Sequence, residues 1–384
     1  MAFYLSFKEI WRNRGRFFLF SLVIALITTL VLFIAALSEG LATANKQFLV
    51  KLDAQLLVFQ KNVDLSPNTS RIELSKRNDI ARLAGVDSVG PLGLSNVSIV
   101  RPSGEKDLGV SLIGVEAGKP GEPTVLLGRN LRIDRGSEAI IDQNIVDRTG
   151  VKIGDRIRVK SIQGSKEEFY NLDIVGITDS RQYLFQPSIF VPYSTWDQIR
   201  PQAAAGSKLV ETISNIIAVK LTPEANATQV AQEIASQVKN VEVTDIKTAY
   251  ESLPGYQAQQ STLNTQRGFT LLIGILVIGG FFQIQILQKI PLIGVMKAIG
   301  TSNAIVATGV VLQIIFVTTF GVILGAIATL GLAIGIPGNV PVVFSGNSVA
   351  VAILTLLAIG PIGGLVSVRL AISVEPLLAL GLSS

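Results

Sequence analysis

The residue types that most often carry catalysis are scarce in this chain of 384 residues. It has no His and no Cys, which excludes Ser/His/Asp triads, HExxH zinc sites, disulfides and thiolate metal sites. Three carboxylates, Glu138, Asp142 and Asp147, are close enough in sequence for two of them to resemble a catalytic acid pair. Spacing alone gives neither a shared cleft nor a perturbed pKa, so we interpret them as solvated faces of a strand and a helix. We predict no catalytic residue, no metal site and no cofactor.

The composition points to a different class, that of membrane proteins. Hydrophobic residues make up 48% of the chain, charged residues only 16%, and the mean hydropathy is +0.49. No Asp, Glu, Lys or Arg occurs from 298 to 368, and "GIPGNVPVVFSGN" (335–347) divides this run with two prolines and three glycines. Because a bilayer crossing needs about 20 apolar residues, the sequence predicts four transmembrane helices. They are expected at 17–37, 268–288, 304–334 and 348–368.

Lys and Arg residues beside the spans predict their orientation. Segment 1–16, a predicted interfacial helix, carries four of them, the loop 289–303 carries two, the tail 369–384 carries one, and the short outer loop 335–347 carries none. Both termini and the loop 289–303 are therefore expected on the cytoplasmic side of the cell (inner) membrane. A cleaved signal peptide is the alternative for the N-terminus, but the apolar core 17–37 exceeds the roughly 7 to 15 residues usual in such peptides. Because the basic residues form no block of like charge, we expect no nucleic-acid partner.

The long stretch 38–266 lies between the first and second predicted spans, and we expect it to be an extracytoplasmic domain. Two βαβ-like halves are predicted in it, at 56–100 and 215–245, with a β-rich subdomain at about 103–200 between them. Polar, helix-compatible ends are expected to form a stalk. The predicted fold class is thus a membrane protein with four transmembrane α-helices, one before and three after a large α+β domain.

A short amphipathic segment, "PLIGVMKAIG" (291–300), lies between the second and third predicted spans. Pro291 suits the first position of a helix and Gly300 suits the residue after its end. One apolar stripe recurs at i, i+3, i+4 and i+7, formed by Leu292, Val295, Met296 and Ile299. Such a stripe at a cytoplasmic loop either lies on the membrane surface or binds in a groove of a partner protein.

This segment resembles the coupling loop of the FtsX/MacB-type ABC transporter permeases, a group that includes MacB, LolC, DevC and hemin-export permeases. In that family the loop docks on an ATPase. The resemblance makes these residues candidates for ATPase coupling: Leu292, Gly294, Val295, Met296, Lys297, Ala298, Ile299 and Gly300. The tail "AISVEPLLALG" is similar to the family's terminal motif, matched at Glu375, Pro376, Ala379 and Leu380. Leu292 stands where the family has an acidic residue, and Leu378 and Gly381 replace the tail's Glu and Arg.

The resemblance implies the permease subunit of an ABC-type exporter that moves a hydrophobic or amphipathic substrate, such as a lipid, lipoprotein, drug or hemin. It implies a second copy of the chain, membrane lipids and a periplasmic adaptor as partners. The ATPase is expected to be a separate subunit, because no P-loop pattern GxxxxGK[ST] occurs in the chain. Gly321 and Gly325 allow close helix packing within one subunit or between two. An FtsX-like signal transmitter and an unrelated membrane-anchored receptor are the alternatives.

Within the family, the stretch 37–60 is most similar to hemin-export and DevC permeases. Glu39 is a candidate substrate contact, because a carboxylate at the end of a span is costly unless it is solvated or functional. A charge at the water interface is the simpler explanation. Methionine occurs only at positions 1 and 296, so hemin iron would need an oxygen ligand such as Glu39 or a tyrosine.

Overall fold

The computed structural model describes residues 8, 11–101, 105–132, 136–201, 213–335, 340 and 342–375, with the backbone alone for Asn45. The chain divides into two compact units. The membrane unit contains residues 1–41 and 260–384, and the extracytoplasmic unit contains residues 42–259. Most of the interfacial helix predicted at 1–16, part of the loop predicted at 335–347 and most of the tail lie outside the described residues.

In chain order the elements are α1 (Arg14–Val50), β1 (Leu56–Gln60), β2 (Ile72–Glu73), α2 (Lys76–Ala81), β3 (Val86–Ile99), β4 (Leu108–Val115), β5 (Val125–Gly128), β6 (Glu138–Asp142), α3 (Gln143–Thr149), β7 (Arg156–Gln163), β8 (Lys166–Thr178), β9 (Ser188–Pro192), α4 (Tyr193–Ile199), β10 (Ile213–Ser214), β11 (Ile216–Leu221), α5 (Ala227–Gln237), β12 (Val241–Asp245), α6 (Ile246–Glu251), α7 (Tyr256–Ala298), α8 (Asn303–Gly335) and α9 (Gly346–Ser373).

Four helices, α1, α7, α8 and α9, are each long and apolar enough to cross a membrane. An α+β domain lies between the first and the second of them in the chain, as predicted. Helices are the expected solution because a lipid environment offers no hydrogen-bond partners, so each segment must satisfy its own backbone groups. Their outward side chains are largely apolar, including Leu26 on α1 and Leu276 on α7.

Helix α7 is continuous from Tyr256 to Ala298 and passes through Pro291. The prediction of a separate short helix that begins at Pro291 is therefore wrong. Proline has no backbone N–H, so the carbonyl four residues earlier loses its usual helical partner, but flanking turns can keep the helix intact. The predicted apolar stripe consequently forms the last turns of a 43-residue helix.

Two glycines of α8 let this helix approach α1 closely. A Cβ atom placed on Gly321 would lie 2.7 Å from Ile24 Cβ, and one on Gly325 would lie 2.5 Å from Thr28 Cβ. At the same contact Thr29 Oγ1 donates a hydrogen bond to the Gly325 carbonyl at 3.1 Å. In lipid, close backbone approach of this kind replaces the hydrophobic effect as a source of stability. These glycines therefore serve packing within one subunit.

One part of the extracytoplasmic unit consists of two interleaved βαβ units. The sheet order β12-β1-β11-β3 is antiparallel between neighbours, so β11 separates β1 from β3, and β1 separates β11 from β12. This is the split βαβ arrangement. Strand β1 has both faces buried, with Leu56 and Val58 in one hydrophobic cluster and Leu57 and Phe59 in another. Burial on both faces explains its uninterrupted apolar sequence.

The other part of this unit is a closed ring of six strands, β3-β4-β9-β6-β8-β7, in which β7 pairs with both β8 and β3. Strand β3 joins the two parts. Its first half, up to Leu92, pairs with β11, and its second half, from Gly93, pairs with β4. Closing the ring leaves no free edge among these six strands, which removes a surface that could pair with other chains.

Candidate functional site

The predicted coupling residues lie at the end of α7 and in the turn that follows it. Three members of the apolar stripe are exposed: Leu292 by 57%, Val295 by 40% and Ile299 by 81%. Met296 is only half-buried, whereas Ile293, which lies outside the stripe, is packed in the membrane unit. The end of α7 therefore presents an apolar surface outside the bundle, as the 3.6-residue period predicts.

The end of α7 is a well-defined backbone structure. Gly300 has a φ of 99°, its N–H donates to the Lys297 carbonyl at 3.0 Å, and the Thr301 N–H donates to the Met296 carbonyl at 3.0 Å. This pair of bonds is a Schellman motif, and the positive φ explains why glycine occupies position 300. The next helix starts directly, because the Ser302 carbonyl accepts from the N–H groups of Ile305 and Val306. The exposed stripe thus ends in a hydrogen-bonded turn.

Lys297 has a structural partner that its sequence position does not reveal. Its Nζ donates to the carbonyls of Ile372 at 2.5 Å and Val374 at 2.9 Å, at the C-terminal end of α9. The last carbonyls of a helix have no partner within the helix, and a positive charge there is favourable. Lys297 therefore binds the start of the C-terminal tail to the end of α7. Glu375 is exposed just beyond this point, while Pro376, Ala379 and Leu380 lie outside the described residues.

Replacing Lys297 by Met is expected to destabilise the membrane unit by about 2 kcal/mol, because charge-assisted hydrogen bonds to two helix-end carbonyls are lost. Amide hydrogen exchange should become faster in the last turn of α9, at residues 368–374. Lys297→Arg keeps the charge and the donors and should restore most of the protection. Unchanged exchange in Lys297→Met would contradict the assigned role.

Polar side chains also connect the membrane helices at this end. Arg16 Nη1 on α1 donates to Gln288 Oε1 on α7 at 2.6 Å, and Lys289 Nζ on α7 donates to Gln313 Oε1 on α8 at 3.2 Å. Hydrogen bonds between membrane helices contribute about 0.6 kcal/mol each on average. Several of the basic residues that predicted orientation therefore also stabilise the bundle.

Glu39 lies at the other end of the membrane unit, close to the first turn of α9. Its Oε2 accepts a hydrogen bond from Ser348 Oγ at 3.2 Å, and Ser345 caps the same helix by accepting from the Ser348 N–H. The N-terminus of a helix favours a negative charge. The position of Glu39 thus has a structural explanation, in addition to the role as a substrate contact that we predict.

The three carboxylates singled out in the sequence each have their own partners. Glu138 forms two hydrogen bonds with the guanidinium of Arg129, and these lower the pKa of its carboxyl group. Asp147 accepts from the amide nitrogen of Gln143 at 2.8 Å. Asp142 is fully buried, so its interpretation as part of a solvated face is wrong. It caps α3 by accepting from the Ile145 N–H and also accepts from the Ser188 N–H on β9.

The buried Asp142 predicts a pH dependence of stability. Burial raises the pKa of its carboxyl group from 3.8 to about 6, although the hydrogen bonds from Ser188 and Ile145 act in the opposite direction. The folded state therefore holds this proton more tightly than the unfolded state. Its contribution to stability is complete below about pH 4 and is lost as the pH rises through 6, by about 3 kcal/mol at 1.36 kcal/mol per pKa unit.

Thermal unfolding of the purified protein in detergent between pH 4 and 7 tests this expectation. The unfolding free energy of the native protein minus that of Asp142→Asn should fall as the pH rises to about 6. Above about pH 6 this difference should stay constant. Asp147→Asn, a change at an exposed position of α3, is the matched control and should keep the native pH profile. A difference between the native protein and Asp142→Asn that does not vary with pH would contradict the assignment.

Comparison with known proteins agrees with the fold. Residues 17–237 match the model of the MacB-like periplasmic core domain, and residues 268–376 match the model of the FtsX-like permease C-terminal region. Together with the four membrane-crossing helices, these matches define a multi-pass membrane permease. Because the first match covers more than half of the chain, the chain belongs to the FtsX/MacB family of ABC transporter permeases.

Similar proteins include two whose name is "Putative hemin transport system permease protein HrtB". The one from Staphylococcus haemolyticus is 27% identical and the one from Staphylococcus epidermidis (strain ATCC 35984) is 22% identical, each over 98% of this chain and 99% of the relative. Among solved structures, the periplasmic region of MacB from Actinobacillus actinomycetemcomitans is 14% identical, with a TM-score of 0.37. That match covers 56% of this chain and 94% of the other.

Proposed function

We propose that the chain is the transmembrane subunit of an ABC-type exporter that passes the movement of separate ATPase subunits to its extracytoplasmic domain. The observation that carries this proposal is the exposed apolar stripe at the end of α7, held by a Schellman turn and by the Lys297 bonds to α9. Apolar helix faces of this kind bind in grooves of partner proteins. A support held by several hydrogen bonds suits the transmission of force.

The proposed orientation places both termini and the end of α7 in the cytoplasm. The Lys and Arg distribution supports it, since seven such residues lie in the segments assigned to that side and none lies in the loop 335–347. The apolar outer faces of α1 and α7 are the proposed contact with a second copy of the chain. A periplasmic adaptor is a further candidate partner.

The end of α1 has a firm attachment within the extracytoplasmic unit. Lys51 Nζ forms an ion pair with Asp179 at 2.6 Å, the Phe48 N–H donates to the Gln182 carbonyl at 3.1 Å, and Arg181 Nη1 donates to the Lys51 carbonyl at 2.8 Å. Phe48 also packs edge-on against Tyr183. These contacts fix residues 48–51, at the end of α1, within the extracytoplasmic unit, as the proposed transmission of movement to this domain requires.

The proposed substrate is hydrophobic or amphipathic. Lipids, lipoproteins, drugs and hemin share that chemistry, and the names of the relatives favour hemin. This chain supplies neither His nor Cys for hemin iron, so an oxygen ligand such as Glu39 would have to serve. We propose Glu39 as the first residue to replace in a hemin-binding assay, with Gln as the substitute.

Purification of the protein from its native membranes in mild detergent, with identification of every protein that remains bound, tests the proposal. Recovery of an ATPase subunit whose activity the permease changes is the expected result. Substrate export by the reconstituted complex then separates an exporter from an FtsX-like signal transmitter, which would bind the ATPase without moving a substrate. Absence of any ATPase would contradict the proposal and favour a membrane-anchored receptor.

A further inference from the structure

A cleft of about 290 Å³ lies in the extracytoplasmic unit, next to the point where β3 passes from the split βαβ part to the six-stranded ring. Its walls come from the loop before β2, the middle of β3 and the end of α4. It therefore lies between the two parts of the domain, a place where ligand sites are common. Among the described residues that line it are two arginines, three asparagines and a tryptophan, and none of these described lining residues is Asp or Glu.

The two arginines, Arg71 and Arg200, are close enough to repel each other. Arg71 is exposed on its outer side, and partial burial together with the nearby charge of Arg200 lowers the pKa of its guanidinium. An arginine stays charged at any physiological pH, so both side chains bring a positive charge to the cleft. Among the described residues, Arg200 has an acidic partner in Asp197, whose Oδ1 accepts from the Arg200 Nε at 2.7 Å.

Both guanidinium groups keep donors available for a ligand. Arg71 uses Nη1 for the backbone carbonyls of Asn68 and Ser70, and Arg200 uses Nε for Asp197. Within the described part of the chain, the Nη2 atom of Arg71 and both Nη atoms of Arg200 have no hydrogen-bond partner. Paired N–H groups of this type match the oxygens of carboxylate and phosphate groups.

The groups that hold the cleft open are fixed before any ligand binds. Asn215 is buried, accepts from the Leu94 N–H at 2.8 Å and donates to the Pro67 carbonyl at 2.9 Å, which joins the Arg71 loop to β3. The indole of Trp196 lies directly over Gly93, where a Cβ atom would be only 2.2 Å from the ring, and its Nε1 donates to Ser95. Preorganised groups of this kind reduce the cost of binding.

We propose that this cleft binds an oxyanion, either the phosphate or the carboxylate group of a small ligand, between Arg71 and Arg200. The cleft volume suits one such group with a small carrier. A bound anion would neutralise the repulsion between the two arginines and connect the split βαβ part to the ring. This site is independent of the proposed ATPase docking.

Trp196 provides a direct test, because the chain has only two tryptophans and the other, Trp11, is exposed. In full-length protein carrying Trp11→Phe, titration with sodium phosphate, and separately with sodium succinate, should change the Trp196 emission with saturation. Sodium chloride at equal ionic strength should not. The anion with the lower dissociation constant shows whether the cleft prefers a phosphate or a carboxylate group.

Three variants in the Trp11→Phe background decide the assignment. Arg71→Gln and Arg200→Gln should each weaken anion binding at least tenfold, and Asn96→Asp should do the same by placing a carboxylate in the cleft without removing an arginine. Arg156→Gln, at an exposed arginine of β7 outside the cleft, is the matched control and should bind normally. The proposal fails if neither anion gives a saturable change, or if the cleft variants respond as the control does.

Discussion

Replacing Ile299 by Asp should lower the affinity for the proposed ATPase partner about 100-fold or more. Burial of an isoleucine side chain contributes about 1.5–3 kcal/mol, and an unpaired carboxylate in an apolar groove adds a desolvation cost. A loss of about 3 kcal/mol in binding free energy corresponds to a roughly 100-fold increase in the dissociation constant. Ile299 is 81% exposed in the isolated chain, so the substitution should leave the fold of the permease intact.

The measurement is co-purification of the ATPase together with its stimulation by the permease. Leu292→Asp, at another exposed position of the stripe, should have the same effect, whereas Met296→Asp is a weaker test because Met296 is half-buried and its loss also disturbs packing. Leu126→Asp, at an apolar position of the extracytoplasmic unit that is 62% exposed, similar to Leu292 at 57%, is the matched control. If Ile299→Asp still retains and stimulates the ATPase, the docking surface is misassigned.

Gly325→Ala should destabilise the membrane unit by about 1–2 kcal/mol, because the cost of overpacking exceeds the gain of about 1 kcal/mol from the better helix propensity of alanine. The added Cβ atom would lie 2.5 Å from Thr28 Cβ and 2.6 Å from the Ala25 carbonyl, so α1 and α8 must separate. Overpacking of this kind costs about 1–3 kcal/mol, and the Thr29 hydrogen bond to the Gly325 carbonyl would weaken as well. Thermal unfolding in detergent should show the loss as a lower midpoint.

Gly331→Ala is the control for this prediction, because it lies on the same helix and a Cβ atom there meets nothing within 4 Å. Gly331→Ala should raise the midpoint of thermal unfolding slightly, since alanine favours a helix over glycine by about 1 kcal/mol. Equal midpoints for the two variants would show that α8 does not pack on α1 as described. Gly321→Ala, whose Cβ would meet Ile24, should behave like Gly325→Ala.

The order and number of the membrane helices follow from the sequence because lipid imposes a simple rule, an uninterrupted apolar stretch of sufficient length. The exposed stripe at Leu292, Val295 and Ile299 follows in the same way, from a helical period that depends only on local geometry. The sequence predicts a helix boundary at Pro291 because proline suits the first position of a helix, and the structure has no boundary there. Only the surrounding structure decides whether the helix already exists before it.

Sequence alone thus determined the family, the four spans and the apolar surface at the end of α7, all of which depend on short-range patterns. Tertiary structure decided what depends on distant partners: Lys297 binds carbonyls 75 and 77 residues away, and Gly325 packs on Thr28. It also buried Asp142 and brought Arg71 to Arg200 across more than a hundred residues. The residue type of a charged side chain or a glycine does not show whether it faces solvent or another part of the chain. Its role depends on contacts that form only when distant segments fold together.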